Sequence, residues 1–284
     1  MILSGRHSQS LAAEVARELD EPLAPVEFDR FPDGEVMAQI GAVEGDRAVV
    51  VASTPTGDAH LELLQLQDAA REAGFEEVVT VLPYMGYARQ DRAFEDGEPV
   101  SARAVARAIS TGADRVVTVD PHEGAVCDFF EPSATAVTAA DRLAEPLPDD
   151  LTDPLFLSPD AGAIELAETV RSAAGEGEVD YFEKTRRSGS EVEITPSDAD
   201  VEGRDVVVVD DIIATGSTMS EAVGVLDERG ADGVYVTCVH PLLASNAVTK
   251  LSRAGVDAIY GTDTIERPVS EVSAAPAIAR AVEN

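Results

Sequence analysis

Lysine is nearly absent from this sequence. Among 284 residues there are 21 Lys and Arg, and Lys184 and Lys250 are the only lysines. Asp and Glu number 54, which gives a formal net charge of −33. A chain so poor in cations offers no broad basic face, so we expect no binding to nucleic acid or to an anionic membrane.

The acidic residues are spread along the chain and form no terminal tail. Hydrophobic residues make up 44% of the sequence, which is enough to bury a core and argues against disorder. We interpret the acidity as adaptation to molar salt, where the Debye length is about 3 Å and surface repulsion is screened. An ordinary acidic protein from a low-salt cell is the alternative.

Cysteine and long apolar runs are also scarce. Two cysteines, Cys127 and Cys238, cannot form a disulfide framework in a chain of this length, which favours a reducing compartment. The sequence shows no signal-peptide pattern and no apolar stretch of about 18 residues that could span a membrane. We therefore expect a soluble, cytoplasmic protein.

Short apolar runs alternate with longer amphipathic segments. The runs are Ala48–Ala52, Val78–Leu82, Arg115–Val119, Leu155–Ser158, Asp205–Val209 and Val234–Cys238. Continuous apolar runs are typical of strands buried on both faces of a parallel sheet. The segments predicted as helices are Ala59–Ala73, Ser101–Ser110, Ala161–Ala174, Ser217–Arg229 and Ser245–Ala254. This alternation predicts an α/β fold with mostly parallel sheets flanked by helices.

Two segments resemble each other and hint at an internal duplication. Asp114–Asp120 reads DRVVTVD and Arg204–Asp210 reads RDVVVVD, each with an acid where a strand would end. We expect two domains, 1–145 and 146–269, joined through the Pro- and Asp-rich stretch Glu145–Pro154. The predicted C-terminal helix, Ala274–Val282 within 270–284, is expected to pack against the first domain.

The segment Val206–Thr218, VVVVDDIIATGST, carries the strongest chemical signal. A buried strand ends in Asp210 and Asp211, and a loop of small residues then leads into a helix. Amide groups at a helix start hold phosphate well, and carboxylates accept hydrogen bonds from sugar hydroxyls. The spacing predicts a site for a phosphorylated ribose, and an ordinary strand–turn–helix is the alternative.

Five of the 21 cations lie in two short segments. YARQDR (87–92) contains Arg89 and Arg92, and EKTRRSG (183–189) contains Lys184, Arg186 and Arg187. Because guanidinium and ammonium groups pair with phosphates, both segments are predicted to face anionic ligands. Solvated surface loops are the alternative for each. FPDGE (31–35) reads locally as a turn.

The acid pair followed by TGST resembles the phosphoribosyl-pyrophosphate loop of the type I phosphoribosyltransferase fold. Across nearly the whole chain, further segments resemble the ribose-phosphate pyrophosphokinase family, in its archaeal halophile form. These segments are FPDGE, LPYMGYARQDR (82–92), VDPHEGAVCDFF (119–130), SPDAGA (158–163) and EKTRRSG. The resemblance implies two tandem phosphoribosyltransferase type I-like domains. It also implies transfer of the diphosphate of ATP to the 1-hydroxyl of ribose 5-phosphate, with AMP released.

The resemblance also implies residue roles. Those implied for ATP are Asp33, Gly34, Glu35, Arg89 and Gln90, the first three reaching the ATP of a neighbouring subunit in a homo-oligomer. Those implied for ribose 5-phosphate are Arg186, Asp210, Asp211, Ala214, Thr215, Gly216, Ser217 and Thr218. Mg²⁺ would be held by His122 and Asp160, and Lys184 would be catalytic on a mobile loop that closes over the phosphates.

Two other functions stay open on the sequence. A base phosphoribosyltransferase would share the TGST loop but would not need YARQDR, His122 or a second domain of the same fold. A non-catalytic regulatory homologue would be marked by loss of Lys184, Arg186 or His122, and all three are present. Ala163, Ala214 and Ser217 depart from the family pattern, and Ala214 removes a side-chain contact.

Overall fold

The computed structural model describes residues 1–188, 191–196 and 199–284, with the backbone alone described over 183–188 and 191–196. The chain folds into two compact units. The first comprises Met1–Ala139, Asp263–Glu266 and Ser273–Asn284, and the second comprises Ala140–Thr262 and Arg267–Val272. The predicted linker, Glu145–Pro154, lies within the second unit.

The first unit is built on a parallel sheet. Its elements are β1 (Ile2–Ser4), α1 (Gln9–Glu18), β2 (Val26–Arg30), β3 (Val36–Ile40), β4 (Arg47–Val51), α2 (Gly57–Glu72), β5 (Glu77–Leu82), α3 (Ser101–Ser110), β6 (Arg115–Val119), β7 (Ser133–Val137) and the C-terminal α7 (Ala275–Glu283). The strand order is β1-β4-β5-β6-β7, all parallel. A separate antiparallel hairpin is formed by β2 and β3. Helix α7 contacts α1, β6 and β7.

The second unit repeats this plan with a longer sheet. Its elements are β8 (Leu155–Ser158), α4 (Ile164–Ala174), β9 (Glu178–Ser188), β10 (Glu191–Pro196), β11 (Asp205–Ile212), α5 (Ser217–Glu228), β12 (Gly233–His240), α6 (Ala247–Ala254), β13 (Ala258–Thr262) and β14 (Ser270–Val272). The strand order is β10-β9-β8-β11-β12-β13-β14, and only the β9–β10 pair is antiparallel.

The predicted α/β class is confirmed in both units, and the burial of the strands explains it. Val49, Val50 and Val51 of β4 are fully buried, as are Val206 to Val209 of β11. Valine suits such strands because its branched side chain packs well on a pleated surface that is covered on both faces. None of the helices within the described part of the chain is long and apolar enough to cross a membrane.

The two units share one plan, but the sheet order corrects the proposed pairing of the two similar segments. The segments Asp114–Asp120 and Arg204–Asp210 lie on β6 and β11, which occupy different positions in their sheets. The order β1-β4-β5-β6-β7 of the first sheet corresponds to β8-β11-β12-β13-β14 of the second, so the topological equivalent of β11 is β4. Each of these two strands follows an antiparallel hairpin and precedes a helix. Short valine-rich strands resemble one another whatever their position, so the sequence likeness paired strands that are not equivalent.

The structure also corrects the loop that the resemblance implies around Lys184. The resemblance implies a loop there, whereas the backbone of 183–188 belongs to β9 and pairs with β10, Lys184 opposite Ile194. The sequence from Glu191 to Ile194 alternates acidic and β-branched residues, a pattern that favours a strand.

Candidate active site

The acid pair lies at the carboxyl end of β11. Asp210 and Asp211 are half-buried, and the Asp211 amide donates a hydrogen bond to Oδ1 of Asp210 at 2.9 Å. Burial and the adjacent charge of Asp211 raise the pKa of Asp210 well above its ordinary value. Crowded carboxylates of this kind favour any ligand that brings hydrogen-bond donors or positive charge.

The loop after the acid pair is open to a ligand. Thr215, Ser217 and Thr218 are exposed, and no side chain accepts a hydrogen bond at the N-cap of α5. The N-cap residue is Gly216, with a φ of +68°. A Cβ there would lie 3.3 Å from the Cβ of Ala247, so glycine is favoured by both conformation and space. Uncapped amides at a helix start bind anions, which fits the predicted phosphate site.

Asp160 joins this edge of the second sheet. It follows β8, the neighbour of β11, and its Oδ1 accepts a hydrogen bond from the Gly162 amide at 3.1 Å. The charge of Asp160 contributes to the raised pKa of Asp210. Parallel strands bring these three carboxylates to the same carboxyl edge, where open α/β sheets bind their ligands.

Strand β9 of the β9–β10 hairpin extends past the carboxyl end of β8. Tyr181 pairs with Ser158, the last residue of β8, so the backbone of Lys184 lies about 10 Å further along β9. The side chains of Lys184 and Arg186 lie outside the described residues, and their predicted roles are not tested by the structure.

The sequence analysis missed Lys250. Its Nζ donates to the Thr215 carbonyl at 3.2 Å and to the Ser217 hydroxyl at 2.9 Å, across one side of the loop. Lysine scarcity was the signal that pointed to Lys184, and the same signal applied to the second lysine of the chain.

In the first unit, the segment with Arg89 and Gln90 follows β5. Arg89 is exposed, and the half-buried Gln90 accepts a hydrogen bond from the Ser101 hydroxyl through its side chain. Tyr87, which is exposed, has a φ of +67°, an unfavourable conformation for a residue other than glycine. Strain of this kind is often found at binding loops.

FPDGE forms the turn that joins β2 and β3, as predicted. All five residues are exposed, Gly34 has a φ of +97°, and the Glu35 amide donates to Oδ1 of Asp33 at 3.2 Å. His122 is exposed after the end of β6. The predicted ATP and metal residues of this unit are therefore accessible to solvent, and their ligands stay predictions.

Comparisons with known proteins identify the family. Residues 1–112 match the N-terminal domain of ribose phosphate pyrophosphokinase, and residues 132–272 match the phosphoribosyl transferase domain. A ribose-phosphate pyrophosphokinase of Halobacterium salinarum is 63% identical over 283 residues, covering 99% of this chain and 100% of that protein. The chain belongs to the ribose-phosphate pyrophosphokinase family.

More distant ribose-phosphate pyrophosphokinases agree in extent. The protein of Methanopyrus kandleri is 47% identical over 288 residues, and the matched region covers 100% of this chain and 99% of that protein. The crystal structure of phosphoribosylpyrophosphate synthetase from Mycobacterium smegmatis matches with a TM-score of 0.84 and 30% identity, covering 100% of this chain and 97% of that one. The family resemblance and the enzyme class predicted from the sequence are thereby confirmed.

The metal site predicted from the sequence has only two protein ligands, His122 and Asp160. In the part of the chain that the structure describes, no group of three or more His, Cys, Asp or Glu forms a metal cage. A sparse donor set still fits Mg²⁺, because this ion keeps several waters and takes substrate phosphate oxygens as ligands. The imidazole of His122 and the carboxylate of Asp160 are each donors whose chemistry suits Mg²⁺.

Proposed function

We propose that this enzyme transfers the diphosphate of ATP to the 1-hydroxyl of D-ribose 5-phosphate, giving 5-phosphoribosyl 1-pyrophosphate and AMP for nucleotide biosynthesis. The observation that carries this proposal is the open end of β11. There two crowded carboxylates stand beside an uncapped helix start with exposed hydroxyls. Such a site accepts a diol and a phosphate together.

Ribose 5-phosphate would lie across this strand end. Asp210 and Asp211 accept hydrogen bonds from the ribose hydroxyls, since their crowding favours donors. The residues that hold the 5-phosphate are Ala214, Thr215, Gly216, Ser217 and Thr218, through amides and hydroxyls at the start of α5. Arg186 adds a cation to the phosphate from the hairpin β9–β10.

ATP would be bound through the first unit. Arg89 is exposed, and its guanidinium would pair with phosphate or stack on a base, while the amide of Gln90 would hydrogen-bond ATP. The exposed turn with Asp33, Gly34 and Glu35 would reach the ATP of a neighbouring subunit in a homo-oligomer. Function in the cytoplasm of a cell with molar internal salt fits the net charge of −33.

In the reaction, the ribose O1 forms a bond to the β-phosphorus of ATP as the bond from that phosphorus to the α–β bridging oxygen breaks. AMP leaves with the electron pair, and the proton of O1 passes to solvent water. Such transfers depend chiefly on positioning and on neutralising the oxygens. Lys184 supplies a cation to the transferring diphosphate. His122 and Asp160 would hold Mg²⁺, which would supply further charge neutralisation.

The deciding experiment measures AMP formed from ATP by chromatography in molar KCl with Mg²⁺. We expect AMP to appear only when ribose 5-phosphate is present, together with a product that a base phosphoribosyltransferase consumes. A parallel incubation with 5-phosphoribosyl 1-pyrophosphate and free purine bases should yield no nucleotide. AMP formation at the same rate without ribose 5-phosphate, or no AMP formation under any of these conditions, would contradict the proposal.

A further inference from the structure

The second lysine of the chain makes direct contact with the predicted phosphate loop. Lys250 lies on α6, 35 residues after Thr215 and 33 after Ser217, and its ammonium donates to both. The contacts differ in kind, one to a backbone carbonyl and one to a hydroxyl. Together they tie the loop backbone and one predicted phosphate ligand to a neighbouring helix.

The approach of α6 to the loop is built by several independent contacts. The Leu243 amide donates to the Ile213 carbonyl and the Ala244 amide to the Ala214 carbonyl, both at 2.8 Å. The start of α6 then packs at Ala247 against Gly216, where a Cβ would lie only 3.3 Å away. Lys250 is one helical turn beyond Ala247, so it reaches the loop from a rigid base.

The connection before α6 is held in an unusual conformation. Leu243 has a φ of +44° and Ser245 a φ of +57°, neither of which is common for residues other than glycine. Backbone of this kind is unfavourable and persists where the surroundings hold it. These two residues flank the Ala244 amide, which donates to the Ala214 carbonyl of the loop.

The chemistry of the ammonium suits a phosphate neighbour. An ammonium has three N–H donors, and the contacts with Thr215 and Ser217 account for two of them. A third can be given to a phosphate oxygen. The charge matters because Asp210 and Asp211 stand at the same strand end and would repel a phosphate dianion. In a chain of net charge −33, few cations offset that repulsion.

We propose that Lys250 is a positioning residue of the ribose 5-phosphate site: it orients Ser217 and the Thr215 backbone and adds positive charge beside the 5-phosphate. This inference rests on the proposed function, since it concerns the same loop. It assigns the second lysine a role parallel to that proposed for Lys184, on a different element and toward a different part of the substrates.

The test compares three variants of the full chain in molar KCl. Lys250→Met removes the charge at similar length, Lys250→Arg keeps a charged donor, and Arg253→Met removes a cation from an exposed position further along the same helix. Ribose 5-phosphate binding is measured by calorimetry, KM for both substrates and kcat by AMP formation, and thermal unfolding by circular dichroism.

For Lys250→Met we expect the Kd and KM for ribose 5-phosphate to rise about tenfold, as for loss of a charge-assisted hydrogen bond. The KM for ATP and the midpoint of unfolding should stay near wild type. Lys250→Arg should recover most of the affinity, and Arg253→Met should bind ribose 5-phosphate within about twofold of wild type.

Several outcomes would overturn the inference. They are unchanged ribose 5-phosphate affinity in Lys250→Met, an equal rise in the KM for ATP, or a matching loss in Arg253→Met. A variant that lost stability but kept its affinity would show a structural role alone and would also contradict it. Wild-type protein that neither bound ribose 5-phosphate nor formed AMP would instead contradict the proposed function on which the inference rests.

Discussion

The loops after β4 and β11 occupy equivalent places in the two units and differ in what their polar groups do. After β4, Ser53 and Thr54 are buried, and their hydroxyls accept hydrogen bonds from the Tyr84 and Gly86 amides at 3.2 and 3.1 Å. After β11, the loop hydroxyls are exposed and the helix start has no side-chain cap. One loop is closed into the fold and the other is open to a ligand.

The same topology therefore holds one loop whose polar groups are used inside the fold and one whose polar groups are exposed. The closed loop is hydrogen-bonded to Tyr84 and Gly86 in the segment that follows β5, which carries the predicted ATP residues Arg89 and Gln90. The open loop is itself the predicted binding element. Substitutions in the closed loop should therefore act on stability, and those around the open loop should act on the reaction with ribose 5-phosphate.

The largest effect is expected on the open side, from the hairpin that precedes β11. Lys184→Ala should lower kcat by a factor on the order of 10³, because a cation at the transferring diphosphate is removed. The KM for ATP should change little, and AMP formation at saturating substrates is the measurement. Turnover within threefold of wild type would remove the catalytic role from Lys184.

On the closed side, Gly86→Ala should be strongly destabilising. A Cβ at Gly86 would lie 2.2 Å from the Thr54 carbonyl oxygen, so the backbone must move. We expect a loss of about 3 kcal/mol in the free energy of unfolding, measured by denaturant titration. Gly124→Ala is the control, since a Cβ there meets no atom within 4 Å. Equal stability of the two variants would contradict the close fit of the loop.

Buried carboxylates differ in the same way as the two loops. Asp263 of the first unit accepts its hydrogen bonds from the protein itself. It accepts hydrogen bonds from the Ser273 hydroxyl at 2.6 Å and the Ala274 amide at 2.8 Å, just before α7. Burial, aided by the charge of Glu14, raises its pKa from 3.8 to about 6. The folded state then binds more protons than the unfolded state between these values, so stability falls as pH rises through that window.

The size of this pH effect is about 2 to 3 kcal/mol for a shift of this extent. Asp263→Asn, which keeps an acceptor for the Ala274 amide, should flatten the fall between about pH 4 and pH 6. Thermal unfolding across this range, wild type against variant, measures it. Parallel curves for the two proteins would show that Asp263 does not titrate with a raised pKa.

The smallest effects are expected from hydroxyl substitutions at the starts of α2 and α5, the helices that follow the two loops. Thr56 caps α2, accepting from the Ala59 amide at 3.2 Å, whereas Ser217 begins α5 without capping it. Thr56→Ala should cost about 1 kcal/mol of stability with normal kinetics. Ser217→Ala should keep its stability and raise the KM for ribose 5-phosphate about threefold. An exchange of these phenotypes would reverse the assignment of the closed and open loops.

Sequence patterns located the elements that are continuous and strongly apolar. The predicted runs on β5, β6, β8, β11 and β12 became strands, and Gly74, Gly230 and Gly255 have positive φ just past their helices. The hairpins β2–β3 and β9–β10 were missed. None of their sequences is a continuous apolar run, which was the pattern used to locate strands, and both hairpins lie at or outside the ends of the main sheets.

The family and the phosphate loop were readable from the linear sequence because their residues are local. The acid pair, the small loop residues and the helix start lie within one short segment, and local backbone geometry brings them together. Strand order and the long-range contacts were decided only in three dimensions. The equivalence of β4 with β11 and the meeting of Lys250 with Thr215 depend on which strands pair and which helices pack side by side. Packing of this kind is cooperative over the whole unit, and no short segment encodes it.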